Sequence, residues 1–338
     1  MINILYQFNE RYVPYAGVSI VSLLENNKHI DEINIFLIGE DISADSKNLL
    51  KQQIELYGRN VEFIDSKALV SKMKSLGINE YRGSYATNMK MFVSDFLPES
   101  IHRILYIDSD TVVAGDLQDI NEIDMQGKPI AMVLDSMCGT HKQTMGFDRK
   151  DSYFNGGVML FDMDCWRQQQ CSERICDHLK NVRCHYMAPD QDVVNIVLKG
   201  NIKRLDIRYN IQPLHVDYKY EIYQRFFGQP GYYSKNEVEQ ALNSPVIFHF
   251  FRYLGQFPWH KDSLHPDRAL FDKYLEKSLW SEYKKMPTLQ DDVVFRIERW
   301  LYRILPRTLF MIIFKASYEL FLWKSNRDSM KQMNNARM

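Results

Sequence analysis

Asp108 and Asp110 stand one residue apart in the run YIDSDTVV, directly after the apolar stretch ILYI. Two carboxylates at this spacing can both reach a hard divalent cation, which takes oxygen ligands and keeps diphosphate oxygens in its shell. Taken alone, Asp-x-Asp is common in solvated turns. The apolar lead-in argues against a turn, because it reads as a buried strand that delivers both carboxylates to its end. Ligands of open α/β sheets gather outside the carboxyl ends of the strands. The chemistry suggested is therefore capture of a metal ion together with an anionic ligand. His249 in VIFHF also falls near the end of a short apolar run, although by itself it reads as a satisfied histidine at a strand end.

The elements that must position these residues show as short apolar runs alternating with longer helical patterns, the signature of a mostly parallel sheet with helices on its faces. Strands are expected at residues 2–6, 33–37, 61–64, 103–107, 130–134, 158–161 and 246–250. Helices are expected at 13–25, 44–56, 85–96 and 189–198. The fold class is thus α/β. Near residues 286–289 the pattern turns helical and rich in Trp, Tyr, Phe and Arg, broken at Pro306. That change divides the chain into a body, residues 1–285, and a helical extension, residues 286–338.

Of 338 residues 45% are hydrophobic and 25% charged, ordinary values that argue against disorder or a fibrous chain. The net charge of -1 hides an asymmetry: residues 296–338 carry nine Lys and Arg against three Asp and Glu, leaving -7 for the rest. Nothing here suggests a nucleic-acid partner, whereas the basic end suits an anionic surface. Five cysteines, odd in number and without a CxxC pair, read as reduced thiols in a cytoplasm. His178 and His185 lie among them at no common zinc spacing. The opening INILYQF lacks the basic and longer apolar regions of a secretory signal. The most apolar stretch, 309–323, is interrupted by Lys315 and Glu319 and is shorter than the roughly 20 residues a bilayer span needs. Trp300, Ile304, Leu309, Ile312, Ala316, Leu320 and Trp323 recur at helical intervals, with Arg296, Arg299, Arg303, Arg307, Lys315 and Lys324 nearby. Such helices lie in a membrane interface, so a peripheral contact with the cytoplasmic face of a membrane is expected. The alternative is a helical pair packed on the body or on a second subunit.

Five ordered blocks carry a resemblance. NILYQFNERYVPYAGVSIVSLLENN, SYATNMKMFVSDFLP, YIDSD, FNGGVMLFDMDCW and PDQDVVNIVLKGNIKRLDIRYN together resemble glycosyltransferase family 8, from about Asn3 to Trp259. The resemblance implies a single Rossmann-like nucleotide-sugar domain of the GT-A type. It implies a retaining transfer of a hexose, galactose or glucose, from a uridine diphosphate sugar to a glycan or lipid-linked saccharide in surface polysaccharide synthesis. It implies Mn²⁺ or Mg²⁺ on Asp108, Asp110 and His249. Asn9 and Arg11 would belong to the nucleotide-contacting loop, and Lys90, Ser109, Asp135, Asn155, Gly156 and Gly255 to the rest of the donor site. Gln191 and Asp190 would stand near the reacting carbon.

Three departures qualify these implications. Asn9 replaces an acidic residue that contacts the uracil. Lys90 replaces an arginine, keeping the charge but losing the planar fork. In HFFRYLGQFPWHK, Phe257 stands where the phosphate-binding lysine belongs, leaving Arg252, His260 and Lys261 as candidate cations. As an amide, Gln191 is a poor nucleophile, which favours front-face attack by the acceptor; Asp190 is the better nucleophile. Two other readings stand beside this one. One is a non-catalytic glycan-binding or scaffold protein of the same fold. The other is a haloacid-dehalogenase phosphotransferase, whose DxDGT motif DSDTVV matches only in part.

Overall fold

The computed structural model describes residues 1–182, 186–288 and 292–335. Cys184, His185 and Leu289 lie outside them. Apolar runs become strands where both faces are covered: β1 (Ile2–Asn9), β2 (Ile33–Glu40), β3 (Asn60–Asp65), β4 (Arg103–Ile107), β5 (Thr111–Val113), β6 (Ile130–Leu134), β7 (Phe154–Asp162), β8 (Ile202–Arg204) and β9 (Ile247–His249). Seven form one sheet in the order β3-β2-β1-β4-β7-β6-β8, while β5 and β9 make a separate ribbon. β1 is buried along almost its whole length and β6 along all of it, as expected of strands sandwiched between helices. β3, at an edge, alternates exposed and half-buried positions. Every neighbouring pair in the large sheet is parallel except the two that β7 makes.

The reversal of β7 creates the site. Because it runs against β4 and β6, its first residues lie beside their carboxyl ends: Ile107 faces Val158 and Leu134 faces Phe154. β7 begins four residues earlier than its apolar run suggests, which places Asn155 and Gly156 in the strand rather than in a turn. The chain order also reverses between β1 and β4, and a cleft opens outside their carboxyl ends, as the topology requires.

Residues 85–96 wind more tightly than expected, as a 3₁₀ helix from Ala86 to Asp95 that breaks at Phe92. The Lys90 amide donates to Gln7 Oε1 of β1 at 2.8 Å and Gln7 Nε2 donates to the Thr87 carbonyl at 2.8 Å, so one side chain of β1 holds this segment from both sides of its amide.

Beyond the body run two helices, Val293–Ile304 and Arg307–Asn335, separated at Pro306. Proline holds the preceding residue extended, and Leu305 is extended, at ψ 146°. Tyr302, Phe310 and Met311 bury against Leu214, Phe227, Tyr253 and Leu254. Asp217 anchors the contact. It accepts hydrogen bonds from the Tyr253 and Tyr302 hydroxyls and lies 3.5 Å from Arg307 Nε. Among the described residues no helix is long and apolar enough to cross a membrane. Phe310→Ala should destabilise the protein by about 3–5 kcal/mol, the usual cost of emptying a buried aromatic site. A denaturation midpoint equal to that of the unsubstituted protein would show that this helix does not pack on the body.

Candidate functional site

Two short backbone connections assemble the acidic centre. The Asp108 amide donates to the Gly157 carbonyl at 2.8 Å, which ties the end of β4 to the start of β7. β5, directly after Asp110, pairs antiparallel with β9 so that Thr111 faces His249, and the Phe250 amide donates to the Asp110 carbonyl at 2.7 Å. His249 Nε2 then lies 3.7 Å from Asp108 Oδ2 and 3.5 Å from Asp110 Oδ1. One ligand atom from each residue falls within 4.8 Å of the others. Gly157 is required beneath the ring, because a Cβ there would come within 2.1 Å of it.

The imidazole is also fixed in rotation and tautomer. Asn155 Oδ1 accepts from the Gly157 amide at 3.0 Å and from Asn210 Nδ2 at 2.9 Å, and it stands 3.1 Å from His249 Nδ1. The backbone donor identifies this Asn155 atom as the carbonyl oxygen. His249 therefore carries a hydrogen on Nδ1, and Nε2 is the nitrogen that faces the two carboxylates. A hydrogen-bonded far nitrogen of this kind orients metal-ligating histidines. Two oxygens and one imidazole nitrogen, so arranged, fit Mn²⁺ or Mg²⁺.

Negative charge is dense around this centre. Lys90, 1% exposed, places Nζ 2.7 Å from Asp190 Oδ2, 3.3 Å from Asp108 Oδ1 and 2.8 Å from the Gly156 carbonyl it donates to. Its ammonium also lies 4.3 Å from the Tyr106 ring centre, and the Tyr106 hydroxyl donates to Asp108. Burial alone would lower the Lys90 pKa, but Asp108 and Asp190 hold it above the usual value. Burial raises the Asp108 pKa, with the Asp110 charge adding to the effect. Asp110 goes the other way: burial would raise it, but His249 brings it below the ordinary carboxylate value.

The helix Pro189–Val197 delivers Asp190 and Gln191 from the side. Gln191 is held at both ends of its amide. Oε1 accepts from the Gly156 amide at 2.8 Å, and Nε2 donates to the Tyr153 hydroxyl at 3.1 Å and to Asp135 Oδ2 at 3.4 Å. Asp135 Oδ2 also accepts from Asn155 Nδ2 at 3.0 Å. Asp192 holds the helix start by accepting from the Tyr153 hydroxyl and the Ala188 amide, with His141 Nε2 at 2.9 Å.

A cleft of about 610 Å³ opens over this centre. Asn9, Arg11, Ser109, Asp110, Asn155, Gly156, Asp190, Gln191, His249 and Gly255 all line it. Lys90 and Asp135 do not: both are buried just behind the lining. Asn9 Oδ1 is buried without a hydrogen-bond partner, an acceptor waiting for a donor. Sequence reasoning missed Gln7, Tyr106, Tyr153, Gly157 and Asn210, whose roles depend on contacts between distant strands. It missed Arg82 as well, which lines the cleft from a tight turn. The second glycine of FNGG was the one available signal.

The model of "Glycosyl transferase family 8" matches residues 3–263. General stress protein A of Bacillus subtilis is 26% identical over 81% of this chain and 92% of its own length. Lipopolysaccharide 1,2-glucosyltransferase of Escherichia coli K12 is 27% identical over 83% and 79%. Among solved structures, a galactosyltransferase LgtC in complex with donor and acceptor sugar analogues superimposes with a TM-score of 0.65 at 20% identity, covering 82% of this chain and 96% of that one. Asn155→Ala, which frees the His249 ring, should weaken Mn²⁺ binding by about 10- to 100-fold. Calorimetric titration with Mn²⁺ checks this, and an unchanged affinity would remove Asn155 from the metal centre.

Proposed function

This chain belongs to glycosyl transferase family 8, and from that premise we propose that it transfers galactose or glucose, with retention, from a uridine diphosphate sugar to a surface-glycan acceptor. The observation that carries the reading is the convergence of Asp108, Asp110 and His249 in a cleft that also holds the unpartnered acceptor of Asn9. Uracil N3–H is a donor of the kind Asn9 Oδ1 lacks. When bound, Mn²⁺ or Mg²⁺ supplies Lewis-acid stabilisation to the departing diphosphate.

The remaining steps fall to side chains of the chain itself. Lys90 keeps Asp190 in place beside Gly156 and balances charge that would otherwise repel an anionic donor. Gln191, tied by Gly156, Tyr153 and Asp135, presents a fixed polar wall beside the sugar, and as an amide it is a poor nucleophile. Front-face attack by the acceptor hydroxyl fits this arrangement better than double displacement. Asp190 is the one carboxylate positioned for the other route, and its pairing with Lys90 makes it a weaker nucleophile.

The acceptor we propose is lipid-linked, reached from the cytoplasmic face of a membrane through the outer side of the C-terminal helices. Trp300, Ile304, Leu309, Ile312, Leu320 and Trp323 are each about half exposed or more, and Arg296, Arg303 and Lys324 are exposed among them. Of the other expected basic contacts, Arg299 donates to the Leu254 carbonyl, Arg307 pairs with Asp217 and Lys315 with Glu319, so these three face the protein. The helices thus pack on one side and offer an apolar and basic strip on the other, as interfacial helices do.

Two experiments test the proposal. Asp110→Asn should abolish Mn²⁺-dependent hydrolysis of uridine diphosphate galactose or glucose while leaving the thermal midpoint within a few degrees, because it sacrifices several kcal/mol of charge stabilisation at the metal centre. Near-normal turnover in this variant would sink the assignment, and a donor screen that finds no hydrolysis with the unsubstituted protein would sink the whole reading. In flotation with anionic vesicles at low salt, full-length protein should rise with the lipid, whereas the Trp300→Ser, Ile304→Ser, Leu309→Ser variant should stay behind. Equal partitioning of the two would end the membrane proposal.

A further inference from the structure

Phe257 occupies the place of a phosphate-binding lysine, and the fold shows why no cation can return there. Its ring stacks on Trp259 with centres 4.5 Å apart and planes 6° from parallel. Trp259 stacks in turn on Tyr15, at 4.0 Å and 16°. This aromatic column walls one side of the cleft. Of the three nearby cations, Lys261 does not line the cleft. His260 does, but its Nδ1 already accepts from the Phe257 amide at 3.2 Å, and burial followed by the charge of Arg299 lowers its pKa, so it is neutral.

Arg252 remains, and it sits on a built platform. It immediately precedes a tight turn, Tyr253 to Gln256, closed by two backbone hydrogen bonds of 2.8 Å and formed by Leu254 at φ 50° and Gly255 at φ 76°. A residue other than glycine at positive φ costs energy and persists only where its surroundings impose it. Here the appended helix Val293–Ile304 does so. Phe295 lies so close to Gly255 that a Cβ would be 2.7 Å from its ring, and Arg299 Nη1 donates to the Leu254 carbonyl at 3.3 Å. The Phe295 ring also supports the Arg252 guanidinium, whose centre is 5.2 Å from the ring centre.

A second turn of the same design stands in the cleft wall. Tyr81 and Ser84 exchange backbone hydrogen bonds of 2.9 and 3.2 Å around Arg82 at φ 53° and Gly83 at φ 78°. Arg82 lines the cleft with Arg252, its guanidinium 5.0 Å from the Tyr81 ring centre. Burial and then the nearby Arg82 charge lower the Arg252 pKa, while Tyr81, Asp292 and Glu298 act in the opposite sense. The two guanidinium groups line the same cleft from two turns of one design, so an anion entering it meets both.

We propose that Arg252, held against Phe295 of the C-terminal extension, grips the diphosphate of the donor in place of the missing lysine, with Arg82 as its partner. The proposal rests on the uridine diphosphate reading above. A planar guanidinium can bind two phosphate oxygens at once, where a lysine offers a point charge. Phe295 is a positioning residue: it touches no substrate and acts through the orientation of Arg252. The extension therefore completes the donor site rather than only carrying the enzyme to a surface.

The test uses the full chain with Mn²⁺, measuring UDP affinity by calorimetry and uridine binding by ligand-observed NMR. Arg252→Met should weaken UDP binding at least about tenfold, the scale of a lost charge-assisted hydrogen bond, while uridine binding is unchanged. Arg252→Lys should recover part of the loss. Phe295→Leu should weaken UDP binding severalfold without affecting uridine, and Phe295→Tyr should restore it. Retained uridine binding in each variant demonstrates an intact fold. UDP affinity unchanged in Arg252→Met overturns the proposal, as does a parallel loss of UDP and uridine. If the unsubstituted protein binds uridine but gains nothing from the diphosphate, the donor reading falls and this inference with it.

Discussion

Five aspartates, at 108, 110, 135, 190 and 192, meet near the carboxyl end of one sheet, and the surrounding structure is organised around making that concentration of charge tolerable. A buried charge without compensation costs several kcal/mol, so each carboxylate has assigned partners. Lys90 serves Asp108 and Asp190; Asn155 and Gln191 serve Asp135; Tyr153 and His141 serve Asp192. Asp110 and the outer oxygen of Asp108 are the exceptions. They face His249 and the cleft, an arrangement with room for a cation to complete the balance. The same accounting explains why the lysine is buried. At this position it neutralises the protein's own carboxylates and does not line the cleft.

Much of this was legible in the sequence because the chemistry and the local pattern coincide. A strand that stops at a pair of aspartates, and a helix that starts with Asp-Gln-Asp, announce themselves by residue type, and both lie where they were expected. The direction of β7 was not legible, since an apolar run carries no record of whether its neighbours run with it or against it. Yet that direction decides that Asn155 meets His249. The 3₁₀ winding of residues 86–95 was hidden for a similar reason, as the Gln7 side chain that accepts from the Lys90 amide lies 83 residues away in the chain. The second glycine of FNGG did carry information: only glycine leaves room for the imidazole.

The C-terminal helices show how one segment can satisfy two demands. Their inner side fills space beside Leu254 and Tyr253 and meets the half-buried anchor Asp217, so it obeys the rules of a core. Their outer side leaves tryptophan, leucine and isoleucine in contact with solvent, which a core would never tolerate in such number. Alternating burial and exposure along a continuous apolar helix separates a side that packs on the protein from a side that faces solvent. Periodicity alone reveals neither, because it registers apolar residues without saying which of two neighbours they face.

The ribbon formed by β5 and β9 has a consequence for the order in which the protein becomes competent. Its first strand follows Asp110 directly, and its second is supplied only after most of the body has been synthesised. A nascent chain thus exposes its two aspartates long before the imidazole that completes their set exists. The complete ligand set forms only on closure of the tertiary structure. An ion that binds the closed form alone then stabilises it by mass action, which makes occupancy of the centre a latch on the last stage of folding rather than a seed for the first.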